Sequence, residues 1–328
     1  MNHKILLSCP EIIKDFLMYC ETIKNKSKNT INEYYTDLRT FYRYILLIRG
    51  MVPENTEFRK IDISGIDQKL ANSITLKDLY SFLVYCKNEL LNSANTRARK
   101  CSTLKTYFKY LSMHEKVIDS NPTELLESPK TETSLPKFLD FEDSIKLLKS
   151  VEGNNKERNY CILVLFLNCG LRLSELCSID LGDIGSDNSL RVIGKGNKER
   201  VVYLNAACVA AINEYLKVRP VDGIPAEYKD ALFISRNKRR LSNKMVQYIV
   251  YKFLEKAGLG NKGLSTHKLR HTAATLMYQK GHVDIRTLKE ILGHENLNTT
   301  QIYTHVSNEF VREAFNANPL AQVKKEKT

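Results

Sequence analysis

Six side chains in the second half of the sequence have types that can act together on one charged centre: Arg172, Lys195, His267, Arg270, His294 and Tyr303. They fall in four short stretches, "CGLRLSEL", "IGKGNKERVVYL", "STHKLRHTAATLMYQKG" and "LGHENLNTTQIYTHV". A guanidinium keeps its proton throughout the pH range of a cell. A phenol titrates near pH ~10 and needs a partner before it can attack anything. Two fixed cations, imidazoles and a phenol suit displacement at a phosphodiester, whose five-coordinate transition state carries two negative charges on non-bridging oxygens. Arg172 and Arg270 can each donate bidentately to those oxygens. Tyr303 then supplies the covalent nucleophile, and His267 is the candidate to take its proton. Lys195, at the tip of a predicted hairpin, is placed to protonate the leaving 5′-oxygen.

Each group also has a plainer reading. Glu175, three residues after Arg172, can form a structural ion pair with it. His267 and His271, four apart on a helix, share a face and can share a zinc ion. The glutamate of an H-E-x-x-H pattern and any nearby cysteine pair are missing from that stretch. Asp180, Asp183 and Asp187 form the only carboxylate cluster, and their setting suits caps and turns better than the converging carboxylates of a two-metal nuclease. The sequence therefore calls for no metal and no cofactor.

The elements that must position these groups read as mainly α with one small antiparallel β-hairpin. "PEIIKDFLMYCETI" and "NTINEYYTDLRTFYRYIL" carry apolar residues at helical spacing, the second capped by Asn29 or Thr30. A polar loop is expected at 50–74, followed by helices over "TLKDLYSFLVYCKNELL" and "SANTRARKCSTLKTYFKYLSMHEKV". Residues 1–118 thus read as one helical domain. Residues 119–136, with three prolines, read as a linker, and 137–328 as a second domain. There "RNYCILVLFLNCG" is apolar nearly all round and should be buried. "LRVIGKGNKERVVYLN" should form the hairpin. Ser265 or Thr266 should cap the helix that holds His267, and Asp284 a helix that stops at Gly293.

The chain has 328 residues, 43% hydrophobic and 27% charged, with a net charge of +13. That charge favours a polyanion as partner. Arg97, Arg99, Lys100 and Lys105 in one predicted helix, and Arg239, Arg240 and Lys244 ahead of another, are candidate DNA contacts; solvated faces are the alternative. No apolar run approaches the ~18 residues of a membrane span. The first residues do not read as a signal peptide, so a cytoplasmic, nucleoid-associated protein is expected. The eight cysteines include no C-x-x-C pair and are expected to be reduced.

Taken in order, "GLRLSEL", "IGKGNKERVVYL", "HKLRH" and "LGHENLNTTQIYTHV" resemble the tyrosine recombinases, most closely the Xer-type site-specific recombinases and related integrases of mobile elements. The resemblance covers nearly the whole chain. It implies that Arg172, Lys195, His267, Arg270, His294 and Tyr303 are the six catalytic positions, with Glu175 supporting the arginines. Tyr303 would form a 3′-phosphotyrosyl link, Lys195 would act as general acid, and His294 would hydrogen-bond the scissile phosphate. It further implies a SAM-like N-terminal core-binding domain, a C-shaped clamp on double-stranded DNA with inverted half-sites, and a homo- or hetero-tetramer that exchanges a C-terminal helix at about 308–320. Thr266 stands where the family often has proline, and residues 50–74 exceed the usual connection. Dimer resolution of chromosomes or plasmids is the expected role. Mobile-element integration uses the same chemistry, and a non-catalytic architectural DNA-binding protein is the reading from another class.

Overall fold

A computed structural model of the chain describes residues 9–53, 55–114, 117–131, 137–194, 198–281 and 283–293. Lys195, His294, Tyr303 and the stretch 308–320 lie outside the described residues. The chain divides into two compact units, Met1–Thr133 and Ser134–Thr328.

The first unit is helical: α1 (Glu11–Thr22), α2 (Lys28–Ile48), the short α3 (Gln68–Asn72), α4 (Leu76–Asn88) and α5 (Ala94–Met113). In α2 the spacing of Ile31, Tyr35, Leu38, Phe41, Tyr42 and Ile45 makes one buried face. Ser27 caps α2, its side chain accepting from the Thr30 amide, so Asn29 and Thr30 belong to the first turn and are not the cap. Phe41 packs edge-on against Phe82 and Phe108, and Phe16 against Tyr107. Each such aromatic contributes about 1.5–3 kcal/mol through burial. The hydroxyls of Tyr42 and Tyr107 lie 3.1 Å apart in this core and satisfy each other.

The polar loop expected at 50–74 is instead a structured insertion. A 3-10 turn forms at Phe58–Lys60 and α3 follows, while Ile61, Ile63, Ile66, Ala71 and Ile74 are buried. These apolar residues follow neither helical nor strand period, which hides them from a periodicity argument. The stretch read as a linker begins on this unit: Leu126 is buried in its core, and the Tyr80 hydroxyl meets both the Leu125 carbonyl and the Glu127 amide.

The second unit is built on α7 (Lys156–Cys169), whose residues Cys161 to Leu167 are all buried. Around it lie α6 (Phe141–Lys149), α8 (Leu173–Ser178), α9 (Ala206–Val218), α10 (Asn243–Lys256), α11 (Thr266–Gln279) and α12 (Ile285–Leu292). Helices α9 and α11 pack on α7, and α12 on α11. Strands β1 (Ser189–Ile193) and β2 (Glu199–Tyr203) pair antiparallel, from Ser189 opposite Tyr203 to Ile193 opposite Glu199. At the turn end of that hairpin, the Gly194 amide donates to the Lys198 carbonyl at 2.7 Å. The eight cysteines are free thiols; Cys169 and Cys208 bring their sulfurs to 3.7 Å.

Candidate active site

Helix α7 must end before Arg172 can turn inward. Gly170 ends it with φ +58, a left-handed conformation that costs glycine little and other residues more. The next residues swing Arg172 to the start of α8, where its backbone amide donates to Glu175 Oε2 at 2.8 Å and its Nη1 to Oε1 at 2.6 Å. The structural ion pair is therefore real. It is also incomplete as a description, because Arg200 and Arg270 come to the same carboxylate.

Arg200, on β2, donates Nη1 to Oε1 at 2.7 Å and Nη2 to Oε2 at 2.9 Å. Arg270, from the first turns of α11, places Nη1 3.8 Å from Oε2 and is only 2% exposed. Burial by itself would raise the Glu175 pKa. The hydrogen bonds from Arg200 and the Arg172 amide, with the guanidinium charges, overcome that and hold it down at about 2. A single buried carboxylate thus sits among three permanent cations.

The other anchor of these arginines is the end of α12. Asp284 starts this helix by accepting from the Arg286 and Thr287 amides, and Gly293, at φ +62, stops it. The last carbonyls of a helix have no partner within it and carry the negative end of its dipole. Here three successive ones are taken by three guanidiniums. Ile291 O accepts from Arg200 Nε at 3.0 Å, Leu292 O from Arg270 Nη2 at 2.5 Å, and Gly293 O from Arg172 Nη2 at 2.9 Å. Arg270 also donates Nη1 to the Gly170 carbonyl at 2.7 Å. Residues distant in sequence are thereby held on one rack.

The hairpin completes the surround. A Cβ on Gly194 would lie 3.6 Å from Glu175 Oε1 and 3.7 Å from Arg172 Nη1, so the backbone immediately before Lys195 rests against the arginine cluster. A cleft of about 530 Å³ opens beside it, lined by Arg172, Glu175, Ser178, Asp183, Arg191 and Gly194 among others. His267 lies at the surface of α11, its ring centroid 4.7 Å from that of His271. Desolvation, then the charges of Arg270 and Arg172, lower the His267 pKa below its ordinary 6.5. His271 is pushed down to about 4, again chiefly by desolvation. Both rings are neutral near pH 7.

Among the described residues no group of three or more His, Cys, Asp or Glu could hold a metal ion. The Asp180 amide is capped by Asp183, Asp183 also accepts from Arg191, and Asp187 accepts from the Ser189 amide.

The candidate DNA contacts divide. Lys100 is buried and donates to Asp37 at 3.0 Å, and Arg99 donates to the same carboxylate at 2.6 Å. Arg240 spends its guanidinium on the Cys177 and Ile179 carbonyls and on Asp180. Of these three only Lys100 is itself buried; Arg99 is exposed and Arg240 half-buried, so their ion pairs leave part of each guanidinium at the surface. Arg239 and Lys244 are exposed, Arg97 and Lys105 partly so. Arg200 is the residue that the sequence reading missed. It shares the inward phase of β2 with Val202, and buried Leu204 continues that phase just past the strand; an arginine in such a row is the signal that could have found it.

A sequence profile of the phage integrase family matches residues 137–309. Tyrosine recombinase XerC of Caldanaerobacter subterraneus is 52% identical over 316 residues, covering 96% of this chain and 89% of that protein. The chain belongs to the phage integrase family. Tyrosine recombinase XerD of Staphylococcus epidermidis is 30% identical, covering 93% of this chain and 97% of its own. Among solved structures, that of XerH site-specific recombinase bound to difH substrate in a pre-cleavage complex matches with a TM-score of 0.66 at 25% identity, over 93% of this chain and 84% of that one. As a family member of the Xer kind the chain is a site-specific tyrosine recombinase, mostly helical with a two-stranded antiparallel sheet. Among the described residues no helix is long and apolar enough to cross a membrane.

Proposed function

We propose that this recombinase cuts and rejoins double-stranded DNA through Tyr303, with Arg172, Lys195, His267, Arg270 and His294 as its partners. The observation that carries this reading is the convergence of Arg172 and Arg270 on one carboxylate and one helix end. Glu175 and the carbonyls fix where the guanidiniums sit, so little reorganisation remains when phosphate arrives. The tyrosine oxygen attacks phosphorus while the bond to the 5′-oxygen breaks. His267, kept neutral, takes the phenolic proton, Lys195 gives one to the leaving 5′-oxygen to make it a hydroxyl, and His294 hydrogen-bonds a non-bridging oxygen. A phosphodiester is exchanged for a phosphotyrosine ester at little net cost. The 5′-hydroxyl of the partner strand then reverses the step.

The Xer likeness supports dimer resolution of circular replicons as the role, on paired inverted half-sites, in a homo- or hetero-tetramer with or without a second recombinase, the C-terminal helix near 308–320 being exchanged between neighbours. Residues 1–118 would serve as the core-binding domain and 137–328 as the catalytic domain, within the nucleoid. Arg97, Lys105, Arg239 and Lys244 are the side chains proposed for phosphate contact. A nicked suicide duplex tests the chemistry: the native chain should give a covalent adduct on a denaturing gel, and Tyr303→Phe should bind but give none. An adduct from the Phe variant overturns the assignment.

A further inference from the structure

Three arginines surround Glu175, yet the phosphoryl-transfer scheme above uses only two. Arg200 has a side chain only 13% exposed and is held by three hydrogen bonds: Nη1 and Nη2 on the two oxygens of Glu175, and Nε on the Ile291 carbonyl. A carboxylate with a free bidentate face would take Arg172 in a fork-to-fork pair and cancel its charge. Arg200 already occupies that face. Arg172 is left with a single side-chain bond to Oε1, so its guanidinium is oriented without being fully neutralised. Counting Glu175 as one negative charge against three guanidiniums leaves two positive charges, which matches a transition state with two anionic oxygens. Without Arg200 one remains.

We propose that Arg200 is a positioning residue for phosphoryl transfer: by clasping Glu175 and the end of α12 together, it holds Arg172 and Arg270 in register and keeps their charge available to the phosphate. The inference rests on the reading of Arg172 and Arg270 given above. Gly293 is cut to the same fit, since a Cβ there would approach Arg200 Cδ to 3.0 Å.

The test uses the full chain and two versions of the nicked duplex, one with the ordinary scissile phosphodiester and one with a methylphosphonate, which lacks one anionic non-bridging oxygen. Single-turnover adduct formation by Arg200→Gln should be slower by about 100-fold on the phosphodiester, with DNA affinity within about 2-fold of native. On the methylphosphonate the penalty should shrink to under about 5-fold, because less charge then needs stabilising. Arg200→Lys, which restores charge without the fork, should recover about 10-fold of the loss. If Arg200→Gln does not fold, the native-to-Lys comparison on the two substrates carries the same contrast. Equal penalties on both substrates mark a merely structural side chain and overturn the proposal, as does a native rate. The underlying reading fails separately, through an adduct formed by Tyr303→Phe.

Discussion

Arg270 Nη1 and the carbonyl oxygen of Gly170 lie 2.7 Å apart, a bond between a buried guanidinium and the left-handed residue that follows the last turn of α7. The terminus of the central helix therefore serves as an anchor for the arginine cluster. A methyl group at Gly170 would meet Leu292 Cδ2 at 2.9 Å. Gly170→Ala should lose about 1–2 kcal/mol from the left-handed strain alone, with a further loss as Leu292 gives way. Urea denaturation checks the stability and the suicide duplex the rate, and both should fall. Unchanged stability contradicts the geometry.

Glu175→Gln leaves three guanidiniums around a neutral amide and should cost about 3–5 kcal/mol. The sign of its pH dependence follows from a folded pKa of about 2 against an ordinary 4.5. The native carboxylate contributes stability that is fully present above pH 4.5 and is lost as pH falls through 2. Across that window the difference between native and Gln proteins should narrow. A difference that stays constant removes Glu175 from the acid response.

The pH profile of adduct formation should carry the lowered pKa of His267. Its neutral form is the proton acceptor, and desolvation with the nearby arginines extends that form to lower pH. The acid limb should therefore have its midpoint below 6.5, and His267→Gln should abolish that limb along with most of the rate. A native midpoint at or above 6.5 argues for another base.

Lys100 and Lys244 should separate support of the fold from DNA contact. Lys100→Ala strips one cation from buried Asp37 and should destabilise by about 2–3 kcal/mol, with the salt dependence of DNA binding unchanged. Lys244→Ala should leave the melting temperature where it is. It should reduce the slope of log affinity against log salt by about 1. Filter binding at several salt concentrations, beside thermal melts, distinguishes the two.

The helices that carry the site were legible because their signals are local. Helix α7 shows its burial in composition, and α12 shows both ends in Asp284 and Gly293. The pairing of Arg172 with Glu175 is likewise local, three residues on one turn. What stayed hidden was non-local. Asp37 claims Lys100 across 63 residues, so one member of the basic run on α5 is buried where the sequence suggested a surface stripe. Carbonyl acceptors have no side chain to read, and the three at the end of α12 gave no sign of the arginines they hold. The buried isoleucines of 61–74 escaped because their spacing matches no regular period.

That succession of acceptors at 291, 292 and 293 has a consequence for biosynthesis. Gly170, Arg172 and Glu175 leave the ribosome long before the residues that complete their surroundings. Until α12 has emerged and docked, Arg172 and Arg270 each lack one of the oxygens on which they rest. A nascent or truncated polypeptide that lacks α12 therefore holds both guanidiniums without these acceptors, and the rack closes only with the last turn of that helix.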